Sequence, residues 1–89
     1  MNRCLIGDGP HWFDRDRAEE ILDVETSLGH GRTLYRTATG KYVVAHWSRW
    51  EGEHTTYHLL SPGEAAILCL DQGVALPPDL EATIQKYEV

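Results

Sequence analysis

From Thr33 onward, β-favouring residues gather in three short runs separated by polar turns. Thr33-Leu34-Tyr35-Arg36-Thr37 is the first, Lys41 to Ser48 the second and Thr55 to Leu60 the third. Branched and aromatic residues suit a pleated, half-buried surface, and Gly40 offers the positive φ that a tight turn requires. The runs predict a hairpin closed by Thr39-Gly40, then a polar loop around Glu51-Gly52-Glu53 and a third strand. Together they form an antiparallel meander over about residues 33–60. With a two-residue turn, Tyr35 stands opposite Val44 and Tyr42 opposite Thr37. One face then carries Tyr35, Tyr42, Val44 and His46, the other Leu34, Val43, Ala45 and Trp47. The register of the second hairpin stays open by one residue.

The third run ends in a helix start. In Ser61-Pro62-Gly63-Glu64 the serine hydroxyl can accept from the N3 amide while Glu64 reaches back to the serine amide, and Pro62 fits the first helical position. This predicts a helix over about 62–72, ended by Gly73 in the left-handed C′ position. Six consecutive apolar residues, Ala65 to Leu70, predict burial on more than one side. Pro77-Pro78-Asp79 opens a C-terminal helix over about 78–87, with Leu76, Leu80, Ile84 and Tyr87 as its apolar stripe.

The N-terminal third is more ambiguous. Gly7, Gly9 and Pro10 mark a short extended segment and a turn. Asp14 suits a helix N-cap, and Ala18, Ile21 and Leu22 fall on one side at helical spacing. Yet Ile21 to Ser27 also alternates as a strand would, so the segment 15–27 admits either form. Gly29 and Gly31 around His30 predict a flexible loop. The fold class expected is α+β: a three- to four-stranded meander against one capped helix, with short terminal helices, in one domain spanning residues 1–89.

The 89 residues leave room for one modest core, and no run approaches the ~18 apolar residues of a membrane-spanning helix. Eight basic and fourteen acidic residues give a net charge of −6, which argues against a general nucleic-acid or anionic-membrane binder. The charge is uneven. Residues 1–31 hold three basic and seven acidic residues, 32–50 four basic (Arg32, Arg36, Lys41, Arg49) and none acidic, and 51–89 one basic and seven acidic. The central block is cationic and aromatic, which suits single-stranded nucleic acid, with Arg36, Lys41 and Arg49 as the contacts; internal charge complementarity is the plainer account. Cys4 and Cys69 sit in no paired motif. Residues 1–13 contain no signal-peptide core, so a cytoplasmic location with reduced thiols is expected.

The pattern Leu34-Tyr35-Arg36-Thr37, Gly40-x-Tyr42, Trp47-Ser48-x-Trp50-x-Gly52, Thr56-Tyr57 and Ser61-x-x-Glu64-Ala65, with Trp12-Phe13-Asp14 and Ala18-Glu19 upstream, resembles a group of small uncharacterised bacterial proteins often found among accessory genes. The resemblance covers about two thirds of the chain, and the Pro-Pro segment beyond Gly73 departs from it. It implies a shared fold and attaches no activity.

Catalytic and metal signatures are sparse. His46, His54 and His58 are spaced by eight and four residues, without the close ligand pair usual for zinc. Glu51 and Glu53 flank a glycine on an exposed loop, where carboxylates stay ionised. Cys69, inside an apolar run, reads as a small core residue rather than a nucleophile. Phosphate loops, nucleophile elbows and dinucleotide fingerprints are missing. No cofactor and no enzymatic activity are therefore expected.

What remains is surface. Both predicted sheet faces are apolar and one strong helix covers only one of them, so either the terminal segments cover the second face or a partner does. The leading expectation is a small accessory protein acting through a protein contact or as a homodimer, with Tyr35, Tyr42, Val44, His46, Trp50 and Tyr57 as the candidate surface. A nucleic-acid binder is the alternative, and a metal-dependent enzyme around His46 and His58 the remotest reading.

Overall fold

A computed structural model describes residues 1–89. Its centre is a four-stranded antiparallel meander of β3 (Glu19–Ser27), β4 (His30–Arg36), β5 (Tyr42–Ser48) and β6 (Thr56–Leu60), preceded by a small hairpin of β1 (Arg3–Leu5) and β2 (Trp12–Asp14). Helices α1 (Pro62–Asp71) and α2 (Pro78–Gln85) follow the sheet. The expected α+β meander with a capped helix is the observed architecture. No helix is long and apolar enough to cross a membrane.

The segment after Asp14 resolves in favour of a strand. Asp14 caps only one 3₁₀ turn, Arg15–Arg17, accepting from the Asp16 amide, and the chain is extended from Ala18. The helical spacing of Ile21 and Leu22 has a different cause. The register with β4 shifts between Glu20 and Leu22, and Ile21 is the extra residue of this bulge. Ile21, Leu22 and Val24 consequently all pack against the same core. A bulged strand thus places two adjacent apolar residues on one side, as a helix would.

The first predicted hairpin exists with its register shifted by one. Thr37 and Lys41 are joined from the Thr37 amide to the Lys41 carbonyl (2.8 Å), and Gly40 donates back to Thr37 (2.9 Å), enclosing a three-residue loop Ala38-Thr39-Gly40. Leu34 therefore pairs with Val44, Tyr35 with Val43 and Arg36 with Tyr42. A two-residue type I′ turn needs positive φ at Thr39 as well as Gly40, which a β-branched residue resists; only glycines take positive φ here. This one-residue shift exchanges faces: Leu34 joins Tyr42 and Val44, while Tyr35 moves to the opposite side. The grouping of Tyr35 with Tyr42 and Val44 is thereby overturned.

The two faces are covered differently. Beneath the helices lie Leu22, Leu34, Tyr42 and Val44, packed against Ala65, Ala66, Leu68 and Cys69 of α1 and Leu80 of α2. The capping box is formed in both directions, Glu64 amide to Ser61 Oγ at 3.2 Å and Ser61 amide to Glu64 Oε1 at 3.0 Å, and Gly73 has φ 67°. α1 buries one side only: Ile67 and Leu70 are each 54% exposed, against the expectation from its apolar run. In α2, Leu80 is buried, whereas Tyr87 lies beyond the helix and is exposed. Arg36 Nε donates to Asp79 Oδ2 (3.1 Å), and the Tyr42 hydroxyl donates to the same oxygen, fastening the start of α2 to the sheet.

The opposite face carries the hairpin. Cys4 and Phe13, directly paired, point inward onto Val43, with Ile6, Ala18, Tyr35 and Tyr57 around them. The hairpin is pinned to the sheet at its tip by the Gly7 amide on the Tyr57 carbonyl (2.8 Å), and its own two arms are closed at the base by the Arg15 amide on the Asn2 carbonyl (2.9 Å). With Cys4 on this side and Cys69 on the other, the two thiols are free, buried and separated by the sheet.

Candidate functional site

Each strand of the N-terminal hairpin is only three residues long, so it covers the middle of its sheet face and leaves both ends open. Phe13 is the centre of the covered part, with its ring centroid 5.6 Å from Tyr35 and 5.3 Å edge-on from Tyr57. Beyond this cluster, a groove lies toward the β4–β5 turn and a polar depression lies toward the far end.

The groove encloses about 830 Å³ and is open to solvent on one side. Its apolar surface comes from Ile6, Trp12 and Phe13 of the hairpin and Leu59, Leu60 and Pro62 where β6 passes into α1; residues 37–42 form the third wall. Leu59 pairs with Val43 on the hairpin side yet lies beyond the hairpin's cover, and it is 57% exposed. Trp12 is 47% exposed because it alternates with inward Phe13, and the Arg3 guanidinium, 4.8 Å above its ring, holds the indole in place. The charged lining includes Arg17, Lys41 and Asp14. Asp14 is committed to the fold, accepting from the Asn2 and Asp16 amides at 3.0 and 3.1 Å, and the Asn2 bond leads in holding its carboxyl below the usual range. Arg17 and Lys41 have no ion-pair partner.

The depression is smaller, about 320 Å³, and polar. Thr33 and Ala45, paired across β4 and β5, are the small residues at its base, and Tyr35, Trp47 and Tyr57 rise around them. Trp47 is fixed by two contacts. Its Nε1 donates to Asp23 Oδ1 (3.1 Å), which also accepts from the Thr33 hydroxyl (2.9 Å). Its ring lies across Gly31, its paired residue on β4, where an added Cβ would stand 2.1 Å from Cζ2 and 2.4 Å from the Val24 carbonyl oxygen. Gly31 is therefore a strand residue required by close approach, not part of a flexible loop. Arg49 stacks over the outer side of Trp47 at 5.3 Å, and Arg15 lies beside the Tyr57 hydroxyl, which raises its basicity. Burial pushes both Tyr35 and Tyr57 upward from the usual phenol value.

The residues expected to form one surface are dispersed. Tyr42 and Val44 are buried beneath the helices, and burial, aided by the bond to Asp79, pushes the Tyr42 phenol up to about 12. Tyr35 and Tyr57 stand on the opposite face. Trp50 covers Gly29, its Nε1 donating to the Leu28 carbonyl (3.2 Å), beside the pair between His30 and Glu53 (3.1 Å). His46 shares the helix-side face with Tyr42 and Val44, exposed at its uncovered end. The nucleic-acid candidates scatter likewise: Arg36 is bound to Asp79, Lys41 is at the groove and Arg49 is at the depression.

His46 and His58 are diagonal neighbours on one sheet face, since His46 pairs with Thr56 and His58 with Val44. Their rings are 5.4 Å apart, and burial together with His58 and Arg32 holds His46 below the usual imidazole value. His54 is in the preceding loop, and no three His, Cys, Asp or Glu side chains converge as metal ligands.

Trp12, Arg15, Arg17, Trp47 and Leu59 were missed as surface-forming residues. The alternation Trp12-Phe13-Asp14 beside the turn at 7–10 was the available signal for a hairpin with one aromatic inward and one outward. Gly31 before a tryptophan-bearing strand was the signal for a flat-lying indole. No protein-family model, curated protein or solved structure matches the chain.

Proposed function

We propose that this chain is a non-enzymatic accessory protein of the cytoplasm, and that its groove takes an apolar, acidic segment of a partner protein. The observation that carries this reading is the pairing of half-exposed Trp12 and Leu59 on one apolar groove. Large apolar side chains left together in water are a costly feature in a small domain, and they mark interaction surfaces. Tryptophan is the residue type most enriched among side chains that dominate binding energy.

The rim sets the sign of the partner. Arg17 and Lys41 form no ion pair on a protein of net charge −6, and Asp14, the carboxylate near Arg17, is already bound by backbone amides. A segment with one or two apolar anchors flanked by Asp or Glu matches this lining. The two separated, buried thiols agree with a reducing compartment.

Panning a random peptide library on the folded protein tests the reading. Enrichment of peptides with an aromatic or aliphatic anchor beside acidic residues is expected, with binding lost in Leu59→Lys. Peptides of no common pattern, or peptides that bind Leu59→Lys as well as the wild type, would overturn it.

A further inference from the structure

The polar depression at the far end of the hairpin-side face is not used by the groove. It lies against the other flank of the Phe13 cluster and is built from different strands: Thr33 and Tyr35 of β4, Ala45 and Trp47 of β5, and Tyr57 of β6. We propose that it is a nucleotide site, taking one amino-bearing base among the aromatic side chains and its phosphate between Arg15 and Arg49.

Three features point to this ligand class. The first is flat aromatic surface around a small base. Thr33 and Ala45 leave space where larger residues would fill the sheet face, and Tyr35, Trp47 and Tyr57 bound that space with rings. Trp47 is held by Asp23, lies flat on Gly31 and carries Arg49 on its outer side, so it is a fixed boundary and the ring surface left for a base is that of Tyr35 and Tyr57. Base stacking on such rings tolerates any base and is a main source of affinity for unpaired nucleotides. The volume, about 320 Å³, is at the small end of ligand sites and fits a single nucleotide unit.

The second is charge. The chain has fourteen acidic side chains, yet neither Arg15 nor Arg49 forms an ion pair with any of them. Arg15 lies beside the Tyr57 hydroxyl, with Tyr35 and Cys4 also near it, and Arg49 lies over the Trp47 ring. Guanidinium groups with unfilled donors at the rim of an aromatic depression can receive a phosphate by paired N–H bonds.

The third is the acidic side of the same depression. Glu20 and Asp23 also line it. These carboxylates repel a phosphate placed beside them, which assigns the phosphate to the arginine side. Toward the base they act oppositely: a carboxylate accepts from the exocyclic amine or ring N–H of cytosine, adenine or guanine. Asp23 Oδ1 is filled by Trp47 and Thr33, leaving Oδ2 and the exposed Glu20 for this contact.

Free nucleotides and single-stranded nucleic acid present the same chemistry, and one titration series separates them. The wild type is titrated with CMP, AMP and GMP, with cytidine, with inorganic phosphate, and with oligo(dC) and oligo(dT), following backbone amide and indole NMR shifts. Saturable shifts at Thr33, Ala45 and the Trp47 indole are expected with the mononucleotides, and weaker ones with cytidine or phosphate alone. Tighter binding of oligo(dC) than of CMP assigns the site to a strand, and equal binding per nucleotide assigns it to the free nucleotide.

Arg49→Gln, at an exposed position, should fold normally and weaken CMP about tenfold, as expected when a charged phosphate partner is removed. Arg15→Gln should act in the same direction. Glu20→Gln should discriminate among bases without touching the phosphate. Binding of groove peptides should be unchanged in all three, which keeps this site's failure distinct from the groove's. Absence of shifts at millimolar CMP, shifts located elsewhere, or affinity unchanged in both arginine variants would overturn the proposal.

Discussion

The two faces of the sheet use similar apolar strands but are finished in opposite ways. On the helix side, nine buried residues from the sheet, α1 and α2 form one continuous cluster, closed by the Arg36–Asp79–Tyr42 contact. On the hairpin side, three buried residues, Cys4, Phe13 and Val43, suffice to anchor a cover too short to reach either end. On the proposed function, the difference separates stability from recognition. A closed face gains from packing and leaves no room for a partner, whereas a partly covered face keeps aromatic and charged groups in reach of solvent.

Removing apolar bulk from each face in turn should give unequal losses. Leu34 is fully buried on the helix side, so Leu34→Ala should cost about 2–5 kcal/mol in chemical denaturation. Leu59→Ala, on the exposed hairpin side, should stay within about 0.5 kcal/mol of the wild type. Equal losses would mean that Leu59 is a core residue and the groove part of the interior.

Gly31 supplies the next largest effect. An alanine methyl there collides with both the Trp47 ring and the Val24 carbonyl, and Gly31→Ala should destabilise by about 1–3 kcal/mol, as overpacking does. A thermal melt at the wild-type midpoint would show that both the Trp47 ring and the β3 backbone at Val24 give way. Smaller again is the helix cap: Ser61→Ala removes an acceptor from the Glu64 amide and should cost about 0.5–2 kcal/mol.

The Tyr42–Asp79 contact sharpens the comparison through pH. The Tyr42 phenol is raised in the folded state to about 12, so its contribution is fully present below the unfolded phenol value of about 10 and is lost as pH rises from there toward 12. Asp79 is lowered, chiefly by the Tyr42 hydroxyl, so its contribution is present above the unfolded carboxyl value and lost as pH falls through the folded one. Tyr42→Phe should remove the late component of the alkaline absorbance titration and flatten alkaline unfolding. A titration unchanged by Tyr42→Phe would place that phenol outside the buried contact.

The helices and strands were legible where local chemistry decides them. Ser61-Pro62-x-Glu64 and Gly73 needed no tertiary knowledge, because a cap is satisfied within four residues. Gly40 was correctly a positive-φ residue, yet its place as third rather than second loop residue moved Tyr35 to the other face and broke up the expected surface. The β-branched Thr39 carried that information. Ile21-Leu22 misled because a bulge and a helix both put neighbouring apolar residues on one side. The groove and the depression were not legible, since each joins residues from segments whose relative placement depends on the hairpin folding back over the sheet.

Amide hydrogen exchange, with and without the tightest library peptide, tests most directly whether recognition belongs to the hairpin-side face. Protection should rise at residues 11–14 and 37–41 and be unchanged in the body of α1 and in α2. Protection gained at residues 65–71 and 78–85, with none at 11–14, would contradict the account and move the binding surface to the helices.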